Sequence, residues 1–106
     1  MGVPAPLIVA AAQPVTVAHG VAINAAVHAD TVRAAGSRLV VFPELSLTGY
    51  GLDAEPIALN DKSLTPLVEA CGARGVLALC AAPVRDEAGR LYIAMLGIDD
   101  GGIEVV

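Results

Sequence analysis

The sequence predicts an α/β fold in the order β-α-β-α-β-β-β. Three observations carry it. Apolar runs of strand length recur, each bounded by proline, glycine or a charged turn. Two segments of helical periodicity separate the first three runs, and each ends at a glycine. A short charged turn, RDEAGR, then joins two apolar runs directly, the pattern of a hairpin.

The first run, LIVAAAQP (7–14), is closed by Gln-Pro and reads as a buried strand. Residues from about 20 to 35 read as a helix ended by Gly36. Ile23, Val27 and Ala34 make one apolar stripe on it, and Val21, Ala25 and Val32 make another. Two stripes suit a helix that packs on a sheet and on a second layer. Asn24, His28 and Thr31 fall between the stripes, which places His28 on a polar, solvent-facing sector. The second strand is 38–42, and Pro43 stops its pairing.

Residues 46–60 hold glycines, a proline and polar groups, and read as a loop. Thr65 and Pro66 have the character of a helix cap and first position, and a start near Ser63 is the alternative. Leu64, Leu67, Val68 and Cys71 share one helical face, and Gly75 is the stop. VLALCAAPV (76–84) is a third buried strand. LYIAMLGI (91–98) returns antiparallel to it, and DDGG (99–102) turns into a final strand, IEVV.

Composition narrows the function. The chain has 106 residues, enough for one domain with a real core. Apolar residues make up 56% against a usual ~45–50%. That excess fits either surface meant for a partner or for further chain, or an alanine-rich codon bias. Net charge is −5 and the six basic residues are scattered, which disfavours nucleic acid as a partner. Residues 1–29 carry no Lys, Arg, Asp or Glu, but the continuous apolar run Leu7–Ala12 is far shorter than the ~20 residues of a membrane span. A soluble, cytoplasmic protein is expected. The two cysteines, Cys71 and Cys80, make neither a disulfide framework nor a zinc site, and read as small buried hydrophobes.

The stretch VVFPELSLTGY (40–50) puts a carboxylate, Glu44, immediately after a strand and among Phe42, Leu45 and Leu47. Open α/β sheets bind ligands beyond the carboxyl ends of their strands. A partly desolvated acid there suits proton transfer. The bland reading is an acid in a solvated loop.

The segment NAAVHADTVRAAGSRLVVFPELSLTGY (24–50) resembles the N-terminal signature of the nitrilase superfamily of carbon–nitrogen hydrolases. The resemblance begins at LIVAAAQP and continues through AAPVRDEAGRLYIAMLGIDDGGIEVV, nearly the whole chain. It implies the N-terminal half of an α-β-β-α sandwich, a single domain left incomplete over 1–106. Members often pair further through their helices, which implies a homo-oligomer. The resemblance also implies a cysteine nucleophile, a glutamate base and a lysine that holds the oxyanion, acting without a cofactor on a small amide, nitrile or carbamoyl compound. By that match Glu44 is the general base, and Tyr50, in the TGY position, lines the substrate pocket.

The departures matter equally. Lys62 is the single lysine and precedes the second helix, where the family does not place its catalytic lysine. Cys80 lies inside a strand, followed by Ala-Ala-Pro rather than the family's acidic elbow. One of three cooperating groups is therefore in place, and the 106-residue chain alone is expected to be inactive. A non-catalytic role in self-association or partner binding is the alternative. His19 and His28 lack the spacing of a metal site, DDGG lacks the alternating acids of a calcium loop, and neither GxGxxG nor GxxxxGK[ST] follows the first strand.

Overall fold

The computed structural model describes residues 6–50 and 53–106. It contains β1 (Val9–Ala11), α1 (Val21–Ala35), β2 (Leu39–Val41), α2 (Thr65–Arg74), β3 (Leu77–Arg85), β4 (Leu91–Asp99) and β5 (Gly102–Val105), with a 3-10 turn, Lys62–Leu64, leading into α2. The element order is the predicted one. The five strands lie side by side as β1-β2-β3-β4-β5. The β1-β2 and β2-β3 pairs are parallel, each joined across a helix. The β3-β4 and β4-β5 pairs are antiparallel and joined by tight turns.

Alternation along the strands assigns the two faces. Val40, Ala78, Cys80, Ala82, Ala94, Leu96 and Ile98 are buried and form one core with Ala25, Ala29 and Val32 of α1 and Leu67, Ala70 and Cys71 of α2. Small side chains on the strands let both helices lie close to the sheet. The opposite face also is apolar and is covered only in part, at Ala81 and Pro83. Val9, Leu77, Ile93 and Met95 are exposed there, and Leu39, Val41 and Leu79 are half-buried.

Both helices end as the glycines predict, with Gly36 and Gly75 in the left-handed conformation. The start of α2 differs. Thr65 is its first helical residue, not its cap, and the preceding turn is capped by Asp61, whose carboxylate accepts from the Ser63 amide at 2.9 Å. An acid immediately before the turn reaches the free amide of Ser63 better than a threonine already wound into the helix.

Two further expectations are corrected. The first strand is not buried: β1 is three residues long and forms the sheet edge, and Leu7, Ile8 and Val9 are exposed. An apolar run measures what could be buried, and an edge position supplies no cover. The helix α1 has one buried stripe, Asn24, Ala25, His28, Ala29 and Val32. Ala25 and Val32 sit where their stripe was predicted, but Ile23 is 57% exposed and Ala34 is exposed. Asn24 and His28, predicted between the stripes, are fully buried. Their polar groups are satisfied inside the protein, which hydropathy alone cannot register.

Of the loop predicted over 46–60, all but residues 51 and 52 is described. It is tied down at Ile57, whose amide donates to the Pro83 carbonyl at 2.9 Å.

Candidate active site

The site grows out of the end of β2. The Phe42 amide donates to the Leu79 carbonyl at 2.9 Å, the last bond of the ladder, and Pro43 has no amide to continue it. The chain then makes two overlapping turns. The Ser46 amide donates to the Pro43 carbonyl and the Thr48 amide to the Leu45 carbonyl, both at 3.2 Å. Glu44 occupies the second position of the first turn and is exposed. Its carboxylate makes no hydrogen bond or ion pair among the described residues. The partial burial expected from its apolar neighbours is absent, because Leu45, Ser46, Leu47 and Thr48 turn inward and Glu44 turns out.

Leu45 carries a backbone cost. Its φ is +61°, a left-handed conformation that glycine adopts freely and leucine does not, at roughly 1–2 kcal/mol. Something must hold it. Three anchors do.

The first is His28. Its Nδ1 lies 2.6 Å from the Asn24 carbonyl, which can only accept, so Nδ1 carries the proton. In the neutral ring Nε2 is then an acceptor, and the Ser46 hydroxyl donates to it at 2.8 Å. The ring stacks on Phe42 with centroids 4.2 Å apart. Burial pushes the His28 pKa below its ordinary value, partly opposed by the Asn24 carbonyl. The second anchor is Asn24. Its side chain accepts from the Val17 amide at 2.7 Å and donates to the Val17 carbonyl at 2.8 Å and the Leu47 carbonyl at 3.0 Å. The third is the segment before α1, where the His19 amide donates to the Thr48 carbonyl at 3.0 Å. At about 0.5–1.5 kcal/mol net per hydrogen bond, these contacts outweigh the strain at Leu45.

Gly49 completes the arrangement. Its φ is +82°, and a Cβ there would meet the Ala18 Cα at 2.9 Å, so the two loops touch backbone to backbone.

An open depression of about 270 Å³ lies at the carboxyl ends of β1 and β2, lined by Ala11, Ala12, Gln13, Val41, Phe42 and Pro43. It adjoins the Glu44 turn. A larger cleft of about 420 Å³, lined by Leu7, Arg38, Leu39, Leu77 and Asp99 among others, is at the other end of the parallel strands. The smaller one has the position expected of a ligand site, and size does not outrank position here.

The family model for carbon-nitrogen hydrolases matches residues 8–105. The chain belongs to the carbon-nitrogen hydrolase family. Solved structures share its fold: XC1258 from Xanthomonas campestris, a carbon-nitrogen hydrolase superfamily protein, at TM-score 0.77 and 20% identity over 93% of this chain; a glutamine-dependent NAD+ synthetase from Acinetobacter baumannii, at 0.72 and 24% over 92%; and an N-terminal amidase bound to an Asn-Glu-Ala peptide, at 0.71 and 18% over 92%. The chain spans 39%, 20% and 26% of these three proteins. No curated protein sequence matches it.

The other groups the carbon-nitrogen hydrolase chemistry would use are not assembled around Glu44. Lys62 is exposed on the 3-10 turn. Cys71 and Cys80 are buried as expected. Burial pushes the Cys71 thiol up to about 11, partly opposed by a backbone hydrogen bond to Ala78 and reinforced by Asp99, so the thiolate is scarce at neutral pH. Cys80 is pushed higher still by burial. Tyr50 is 56% exposed at the end of the same loop as Glu44. His19 lies 3.6 Å from Asp53 in an exposed pair. No helix among the described residues is long and apolar enough to cross a membrane.

Asn24, His28 and Ser46 are the residues that sequence reasoning missed. The available signal was the four-residue spacing of Asn24 and His28, which puts both beside Ala25 and Ala29 on one helical face.

Three outcomes are expected. Gly36→Ala should cost about 1–2 kcal/mol, the left-handed backbone alone, since a Cβ there meets nothing within 4 Å. Gly49→Ala should cost about 1–3 kcal/mol more in urea unfolding, because the Ala18 backbone must move. The pH dependence follows from His28. Its proton affinity is lower in the folded than in the unfolded chain, so the unfolded chain binds more protons between the two pKa values. Stability should therefore fall as pH drops through 6.5, the ordinary value, and level off below the folded pKa. Thermal unfolding of His28→Gln should show a flatter profile over that interval.

Proposed function

We propose that this chain carries the base-bearing part of a thiol-dependent hydrolase acting on a small amide, nitrile or carbamoyl compound. Glu44 is the general base. The observation that supports this most is an exposed, uncommitted carboxylate on a firmly held turn at the carboxyl end of β2, in a chain of this family. Tyr50, on the same loop, lines the substrate pocket. The amidase among the structural relatives favours an amide over a nitrile.

The chemistry assigns each group a task. The carboxylate takes the proton of a thiol, and the sulfur attacks the carbonyl carbon as a thiolate. An ammonium group stabilises the oxygen that becomes negative. Nitrogen leaves with a proton returned by the glutamic acid, and a thioester remains. Glu44 then takes a proton from water, whose oxygen displaces the sulfur and releases the acid. Neither buried cysteine fits the nucleophile, so the thiol and the ammonium group come from outside these 106 residues. Two buried, unpaired cysteines also favour the reducing cytoplasm as its compartment.

Assayed alone, the 106-residue chain should release no ammonia from amides, nitriles or carbamoyl compounds. Turnover that Glu44→Gln abolishes would show that one of its own cysteines is competent. In a longer protein that includes this chain and supplies the other two groups, Glu44→Gln should lower kcat by about 10²–10⁴-fold with an unchanged urea midpoint.

The partly covered apolar face of the sheet favours a second reading, self-association without catalysis. In that case the chain should elute as a dimer or larger species in size-exclusion chromatography, and Met95→Lys, on that face, should return it to a monomer.

A further inference from the structure

The Ser46–His28 pair has the atoms of a hydrolytic serine–histidine couple, a hydroxyl donating to Nε2 with Nδ1–H held by an acceptor. It cannot act as one, because both side chains are fully buried and the Nδ1 acceptor is a helix carbonyl. Its effect must be exerted through the backbone.

The geometry points to Ser46 and His28 as positioning residues for Glu44. The turn that presents Glu44 runs from the Pro43 carbonyl to the Ser46 amide, so Ser46 is its closing residue. The same Ser46 is fixed through its hydroxyl to His28, and His28 is fixed by the Asn24 carbonyl and the Phe42 ring. Between the two fixed ends of the turn lie only Glu44 and Leu45. Leu45 can relieve its positive φ only if an end moves, and any such movement swings Glu44. The hydroxyl–imidazole bond therefore sets the direction of a carboxylate that it does not touch. Asn24 supports the same loop one residue further on, through the Leu47 carbonyl.

The inference rests on Glu44 being the base, but its test does not read catalysis. The measurement is NMR of the isotope-labelled 106-residue chain. In the unmodified protein His28 should show the Nδ1–H tautomer, and Leu45 the coupling and Cα shift of a positive φ. In Ser46→Ala, Leu45 should move to negative φ and the Glu44 carboxyl and amide signals should shift, while the amide signals of β3 and β4 stay in place. Ser46→Thr, which keeps the hydroxyl, should restore the original Glu44 signals. An Nε2–H tautomer, or a Ser46→Ala protein less stable but with Glu44 and Leu45 unmoved, overturns the proposal. Should Ser46→Ala not fold, His28→Phe, which keeps a ring against Phe42 and removes the acceptor, is read for the same two outcomes. Loss of the fold in both variants would also overturn it, since the pair would then serve the whole domain rather than the turn. Loss of activity in Glu44→Gln is a separate observation, so either claim can fail without the other.

Discussion

Asn24 is an amide shut away from water, and its hydrogen-bonding groups must find partners inside the protein. It finds them in the backbones of two loops, at Val17 and at Leu47. Leaving such a group unsatisfied costs about 1–3 kcal/mol, a large share of a small domain's stability. The loops therefore take the paths that Asn24 requires. From that constraint follow the contact of Gly49 with Ala18, the inward turn of residues 45–48 and the outward turn of Glu44. A polar side chain on a helix thus organises the segment that carries the acid, which apolar packing alone would leave loose.

The distribution of strain agrees with this. Leu45 is held in a conformation it disfavours, immediately after Glu44. Strained residues persist only where their surroundings over-determine them, and they gather at functional sites. Here the surroundings are the His28 imidazole, the Asn24 amide and the His19 backbone before α1, and the Leu47 amide also reaches the Ala81 carbonyl of β3 at 3.5 Å. In the proposed role of Glu44 such rigidity is an advantage, because proton transfer depends on the distance of the carboxylate from the reacting group.

The order of elements, both helix stops and the β3-β4 hairpin were legible because they rest on local chemistry: apolar runs, Gly36 and Gly75, and the charged RDEAGR turn. Glu44 was legible as a candidate because a string of neighbouring residues marks it. What escaped depended on tertiary partners. His28 reads as a surface residue until a serine eighteen positions away is brought to its ring. The exposure of β1 depends on which strand lies at the edge, which an apolar run does not specify. Thr65 is not the cap of α2 because a 3-10 turn capped by Asp61 leads into the helix, and short turns of that kind leave little periodic trace. The outward turn of Glu44 likewise depends on the positive φ of Leu45, which no propensity would assign to leucine.

The sheet lists its strands in the order in which the chain is written, with no later strand inserted between two earlier ones. Each new strand therefore meets an edge that already exists when it is made. A polypeptide emerging from its amino end can build this sheet by successive addition, and no completed pair needs to open to admit a newcomer. The helices join during the same progression, α1 before β2 and α2 before β3. Asn24 and His28 of α1 precede the Glu44 turn in the chain, whereas the Leu79 and Ala81 carbonyls of β3 that also hold its ends follow it. The turn is thus closed from both directions along the chain, by α1 before it and by β3 after it.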